Sequence, residues 1–224
     1  MLSLSPALSA ATTHTANSVL LRIDPPSRLI HPAPMYRRSY RRNLPHFHPP
    51  GAALFLTWRL FGSIPKERIA EIELARLISE REEFRTVESI LDSDSHADAR
   101  LRDPSVARMI CECIEMGASS FQRYALHEYV VMPNHVHLFA TPFVDVPVIT
   151  RSLKGVTANF ANKILGTTGK PVWQDECFDR WSRDENEFQK TRAYIVRNPV
   201  KAGLAARPED YPWSSASRRI ALSK

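Results

Sequence analysis

No apolar run in the 224-residue chain approaches the ~20 residues that a membrane-spanning helix requires. A positively charged start followed by a clean apolar core, the pattern of a secretory leader, is missing as well. Cysteine is scarce and odd in number: Cys111, Cys113 and Cys177. Cys111 and Cys113 sit too close together for a structural bridge, so no disulfide framework is expected. The compartment reads as reducing, the cytoplasm. Cys111-Glu112-Cys113 also lacks a second ligand pair with which to build a zinc site, which leaves the thiols as core residues. No internal repeat divides the chain.

What is present suits one soluble domain. Hydrophobic residues make up 43% and charged residues 24% of a length that can bury a sizeable core. Lys and Arg outnumber Asp and Glu by 30 to 24, and a net charge of +6 favours an anionic partner, most often nucleic acid. Residues 1–34 are rich in Ser, Thr, Ala and Pro, with Asp24 as their one acid. They loosely resemble a transit peptide, but a disordered extension is the better expectation. Met35, directly before the first segment of definite character, is a candidate start of translation. The domain proper is then expected over 35–215, with a basic tail at 216–224.

From Met35, the segment MYRRSYRRNLPHFHPP places Arg37, Arg38, Arg41 and Arg42 beside Tyr36 and Tyr40. Such an arm can follow a phosphate backbone and stack on bases, or it can be a solvated charge run. After Gly51, AALFLTWRLFGSIP carries bulk on both alternating faces and predicts a central strand. Pro65 to about Ile90 predicts one amphipathic helix, with Ile69, Ile72, Ala75, Leu77 and Ile78 as its apolar stripe. Ser89 to Asp103 reads as a loop. Asp103 is an N-cap with Pro104 at the first helical position, and that second helix ends near Gly117. A strand over Tyr124–Val131 leads through Pro133-Asn134 into another strand.

Helices are further expected over Thr150–Leu165, closed by Gly166 to Gly169, and from the N-cap Asp184 to Gly203. Between them, Val172-Trp173-Gln174 is a short strand or extended link, with Phe178 and Trp181 as packing anchors. The order of elements predicts an α+β sandwich: a mainly antiparallel sheet with helices on one side and a free face on the other.

The chemistry concentrates in YVVMPNHVHLFATP and FQKTRAYIVRNPVKAG. His135 and His137 flank Val136, so on a strand they share a face, about 7 Å apart along the backbone. They can hold one divalent metal, or be polar residues on a wet face. Tyr194 and Asn198 are one helical turn apart and can face one metal or phosphate. Alternatively Tyr194 is a packing residue and Asn198 a C-cap. Pro199 predicts a kink or an end at Asn198. A nucleotidyl hydrolase of the histidine-triad type would want a third histidine at position 139, which is Phe139.

Four stretches, RRNLPHFHPPGAALFLTWRL, YVVMPNHVHLFATP, VWQDECFDRWSRDENEF and YIVRNPVKAGLAARPEDYPWSS, resemble the single-tyrosine HUH transposases. The likeness is greatest to the REP-associated tyrosine transposases of bacteria, runs from about Tyr36 to Ser215, and keeps the family's order. The resemblance implies a ferredoxin-like or RRM-like sandwich that nicks and rejoins single-stranded or hairpin DNA with Mg²⁺ or Mn²⁺. It implies Tyr194 as nucleophile, and His135, His137 and Asn198 as metal ligands. Zinc also suits histidine with oxygen donors. Lys154 and Arg197 are candidate backbone contacts beside the arginine arm, or solvated surface charges. A monomer and a homodimer both fit the family, and a silent relative that only binds repeats is the competing expectation.

Overall fold

The computed structural model describes residues 39–41, 45–93 and 99–222. The extension 1–34 and Arg37, Arg38 and Arg42 of the basic arm lie outside the described residues, and of Arg41 only the backbone is described. That backbone belongs to a small hairpin in which β1 (Ser39–Arg41) pairs antiparallel with β2 (Pro45–Phe47).

The main sheet contains β3 (Leu54–Arg59), β4 (Tyr124–Val131), β5 (His135–Pro142) and β6 (Phe178–Trp181), in the spatial order β4-β5-β3-β6 with every pair antiparallel. Six α-helices are described: α1 (Ile69–Ile78), α2 (Glu80–Ser93), α3 (Pro104–Ser119), α4 (Val146–Ile164), α5 (Glu185–Lys201) and α6 (Ser215–Leu222). Taken without α1 and α2, the order β3-α3-β4-β5-α4-β6 is the ferredoxin-like split βαβ arrangement that the family resemblance implied.

The bulk on both faces of β3 has a direct cause in this topology. Leu54, Leu56 and Trp58 point into a core shared with α3 and α4, where Ile110, Ile114, Val136, Leu138 and Ile149 are fully or almost fully buried. Phe55 points the other way, into a second core with Val130, Phe139 and Ile195 of α5. The sheet is therefore covered on both faces. The free face expected for the histidines does not exist, because the segments Glu80–Ser93 and Glu185–Lys201 carry their own apolar stripes and bury them there.

Several boundaries differ from expectation. The single helix over 65–90 is two: Ser79 is extended (φ −171°, ψ 157°), and its Oγ accepts a hydrogen bond from Glu82 N at 3.1 Å. A serine hydroxyl that offers the backbone this alternative ends one helix and starts the next. The break turns α1 so that Ile72 and Ala75 are buried, whereas Leu77 (83% exposed) and Ile78 (75%) are not. Helix α2 continues to Ser93, past the expected start of the loop. Helix α4 begins at Val146, where Pro147 is compatible with a first turn that needs no donor from it. Phe178–Trp181 is a strand at the sheet edge, and Trp173 forms an isolated bridge with Leu60.

Helix α3 starts as its sequence directs, with the Asp103 carboxylate accepting from Ser105 N and Val106 N at 2.8 and 3.3 Å. Its close approach to β4 depends on Gly117. A Cβ there would lie 2.8 Å from Cζ of the buried Tyr124 and closer still to its hydroxyl, which donates to Ile114 O at 2.7 Å. Gly117→Ala is therefore expected to lower stability by about 1–3 kcal/mol through overpacking. Thermal melts of wild type and variant measure this, and an unchanged melting temperature would show that the contact is not close-packed.

Candidate metal and tyrosine site

Two central strands place the histidines. In the β3–β5 register Thr57 stands opposite His137 and Arg59 opposite His135. The turn before β5 is held by Met132 N donating to His135 O at 2.8 Å and by Asn134 Nδ2 donating to Leu91 O at 3.0 Å. That second bond fixes which end of the Asn134 amide faces His135, whose Nδ1 donates to Asn134 Oδ1 at 2.7 Å. With Nδ1 protonated, His135 Nε2 is a bare acceptor. His137 Nδ1 is held by Thr57 Oγ1 at 2.8 Å, which frees its Nε2 for the same region. The two Nε2 atoms are 3.1 Å apart, and both side chains are fully buried.

Helix α2 brings a third ligand type that the sequence reading did not pick out. Glu88 Oε2 lies 3.1 Å from His137 Nε2, and the ligand atoms of Glu88, His135 and His137 all fall within 4.8 Å of one another. Glu88 sits one turn from Phe84 on the apolar stripe of α2 and is 3% exposed. A glutamate on that stripe was the available signal. The apolar stripe expected over 65–90 ends at Ile78 and does not extend to Phe84 and Glu88.

Helix α5 contributes Tyr194 and Asn198. The Asp184 side chain accepts from Glu187 N at 2.8 Å at its start. At its end, Gly203 (φ 70°) closes a Schellman motif, with Leu204 N bonded to Pro199 O at 2.8 Å and Gly203 N to Val200 O at 3.0 Å. The helix does not end at Asn198 but runs on to Lys201, since Pro199 falls in the last turn, where its missing N–H removes a single ladder bond. Asn198 is consequently helical and buried, with Nδ2 at 3.2 Å from His137 Nε2. The Tyr194 hydroxyl donates to Glu88 Oε2, and its ring packs against Phe55 and His137 at centroid distances of 5.9 and 5.7 Å.

Among the described residues, two buried oxygens of this cluster have no hydrogen-bond partner: Glu88 Oε1 and Asn198 Oδ1. Unpaired buried oxygens are costly, and the two imidazole Nε2 atoms, 3.1 Å apart, can share either a proton or a cation. Two imidazole nitrogens, a carboxylate and an amide oxygen form a donor set that fits a divalent cation.

The electrostatics follow from burial. Burial pushes His135 down to about 3, helped by the neighbouring His137, so it is neutral. Burial alone would raise Glu88, but the charge and hydrogen bond of His137 hold its carboxyl down to about 2. Tyr194 is raised well above its usual value, first by burial and then by the charge of Glu88. The phenol is thus held protonated in this arrangement.

His135, His137, Tyr194 and Asn198 are brought together as the sequence implied. Lys154 is not: α4 packs on the opposite face of the sheet, and Lys154 Nζ donates to Gln174 O and Asp175 O, both at 2.6 Å. Arg197 is exposed on α5.

Because the folded protein keeps His135 neutral to about pH 3 whereas an unfolded histidine takes up its proton near pH 6.5, acid favours unfolding. Stability of the metal-free protein is expected to fall as pH drops below about 6.5. Melting curves between pH 7 and pH 4 measure this, and the fall is expected to be shallower in His135→Gln.

Residues 99–198 match the family model described as Transposase IS200 like. The matched segment ends on Asn198 and contains both histidines and Tyr194, whereas Glu88 lies before it. Among solved structures, the chain is similar to a REP-associated tyrosine transposase bound to a REP hairpin, with 18% identity and a TM-score of 0.49 over 81% of this chain and 84% of that one. It is also similar to a structure from Deinococcus radiodurans R1 that carries the designation of a transposase, at 17% identity and a TM-score of 0.36, covering 65% of this chain and 89% of that one. No curated protein matches. Over residues 99–198, a little under half of its length, the chain is thus similar to the IS200-like transposases.

Proposed function

We propose that the protein cuts and rejoins single-stranded or hairpin DNA through a covalent link between Tyr194 and the 5′ phosphate of the cut strand. The observation that carries this reading is the Tyr194 hydroxyl bonded to Glu88 inside a buried cluster of metal-type ligands, with Asn198 one helical turn away. A phenol beside such a cluster is a nucleophile next to a phosphate-activating centre. The net charge of +6 suits the substrate.

The reaction balances without a nucleotide energy source. Tyr194 Oη forms a bond to phosphorus while the bond from phosphorus to the 3′ oxygen breaks, and that oxygen leaves as a hydroxyl. An incoming 3′-hydroxyl reverses the step and joins strands. His135, His137, Asn198 and Glu88 would hold Mg²⁺ or Mn²⁺, which when bound offsets charge building on the phosphate oxygens. Thr57 and Asn134 orient the two imidazoles, as partners behind metal-bound histidines do. A half-turn of the Asn198 amide presents its oxygen instead of its nitrogen. Glu88 accepts the phenol hydrogen bond and so fixes the direction of the Tyr194 lone pairs. Arg41, with Arg37, Arg38 and Arg42, and the exposed Arg197 are the proposed backbone contacts. Lys154 is a weaker candidate, given its bonds to two carbonyls.

One observation favours the competing reading, a relative that binds repeats without cutting them. The site is closed, with Glu88 lying over the histidines and Tyr194 held protonated. A cleavage assay on hairpins from repeats flanking the protein's own gene separates the two readings. Wild type with Mn²⁺ is expected to give a covalent protein–DNA adduct that Tyr194→Phe abolishes. His135→Ala is expected to slow cleavage roughly 100-fold or more, as suits the loss of several kcal/mol of charge stabilisation. Glu88→Gln is expected to raise the Mn²⁺ concentration needed for half-maximal cleavage by about tenfold. Binding without any adduct, equal in wild type and Tyr194→Phe, would favour the silent relative.

A further inference from the structure

Helices α2 and α5 do more than cover the histidines; they flank a slot. Arg81, Phe84, Arg85 and Glu88 recur at helical spacing along one face of α2, and Glu187, Lys190, Thr191 and Tyr194 do so along α5. Between these faces lies a cavity of about 460 Å³, floored by Phe55 and Phe178 of the sheet and edged by Arg180 of β6. That volume lies within the range of small-ligand sites. Tyr194 lines the cavity, and its hydroxyl reaches the buried Glu88.

Two features of the slot select its occupant. Phe84 and Phe178 are half-buried and stack on each other at 4.3 Å with 25° between their planes, and Phe55 meets Phe84 edge-on at 5.5 Å. Phe178 lies on β6, the edge strand of the sheet. Around these rings stand four cations, Arg81, Arg85, Arg180 and Lys190, against one carboxylate, Glu187. Glu187 is already paired with Arg180 at 2.9 Å, and Arg85 with Glu82 at 2.7 Å, whereas Arg81 and Lys190 have no ion pair among the described residues. The cavity on the other flank of α2, about 330 Å³, lacks this excess: Glu83, Glu88 and Glu176 face Arg59 and Arg76 there. Aromatic rings inside a ring of cations suit a stacked base with its phosphates, and suit neither an apolar peptide nor a cation.

We propose that the slot between α2 and α5 is a nucleotide subsite, seating one base of a single DNA strand on Phe84 and Phe178. The flanking phosphates lie among Arg81, Arg85, Arg180 and Lys190, and the neighbouring phosphodiester is delivered to Tyr194. This rests on the strand-cleavage reading above and adds to it where the strand runs and what reads its base.

An abasic scan tests the inference. The full-length protein is given a hairpin with single-stranded flanks in which each nucleotide in turn lacks its base, and both affinity and cleavage rate are measured. One position, next to the cut phosphate, is expected to bind wild type about tenfold more weakly without its base. In Phe84→Leu that penalty is expected to disappear, while positions elsewhere behave as in wild type. The doubly exchanged Arg81→Gln/Lys190→Gln protein is expected to lower the slope of log affinity against log salt by about 1.4, two phosphate contacts at 0.7 each. A flat scan in a wild-type protein that still cuts the intact hairpin would overturn the subsite. So would a penalty that Phe84→Leu leaves unchanged. Failure of wild type to form any adduct on the intact hairpin would instead overturn the cleavage reading beneath it.

Discussion

The pairing of β3 with β5 is the constraint on which the rest of the site depends. It sets Thr57 opposite His137 and so fixes the imidazole whose Nε2 lies within 3.2 Å of His135, Glu88 and Asn198. A slip of one residue would send both histidines to the α3–α4 face and replace them with Val136 and Leu138. The register is held by apolar pairing on that opposite face, where Leu56 faces Leu138 and Trp58 faces Val136. The packed core under α3 and α4 and the polar cluster under α2 and α5 are thus two faces of one strand pairing.

Polar groups on a buried sheet face are tolerated because each ligand is held from behind. Asn134 is tied to Leu91 O and Thr57 to His137, so the imidazoles are oriented without help from solvent. Among the described residues, the buried oxygens of this cluster left without partners belong to Glu88 and Asn198, whose other polar atoms each touch His137. Helix α2 therefore belongs to the site as well as to its covering. It supplies Glu88 to the histidines, Glu88 to the phenol, and Phe84 to the wall of the slot leading there.

Much of this was legible in the chain. Alternation placed His135 and His137 on one face, helical spacing placed Tyr194 one turn before Asn198, and local chemistry named the Asp103 and Asp184 caps. These features are local: each depends on residues within about one turn or one strand of one another, where periodicity is a direct geometric statement. The Gly203 stop was local too, and it determines why Pro199 does not displace Asn198.

What tertiary structure alone decided was how distant segments share space. Ser79 could have remained inside one helix, and only the packing of Ile72 and Ala75 beside a separately buried α2 shows that it divides two. Glu88 carries no spacing relation to the histidines 47 and 49 residues later; it becomes a neighbour of His137 because α2 folds back across the sheet. The sequence by itself determined which face of its own element His135, His137, Tyr194 and Asn198 each occupy, because that follows from backbone period. The fold decided which faces meet, whether the meeting place is open or closed, and that a glutamate from an unremarkable helix completes it, because those depend on burying apolar surface over the whole chain at once.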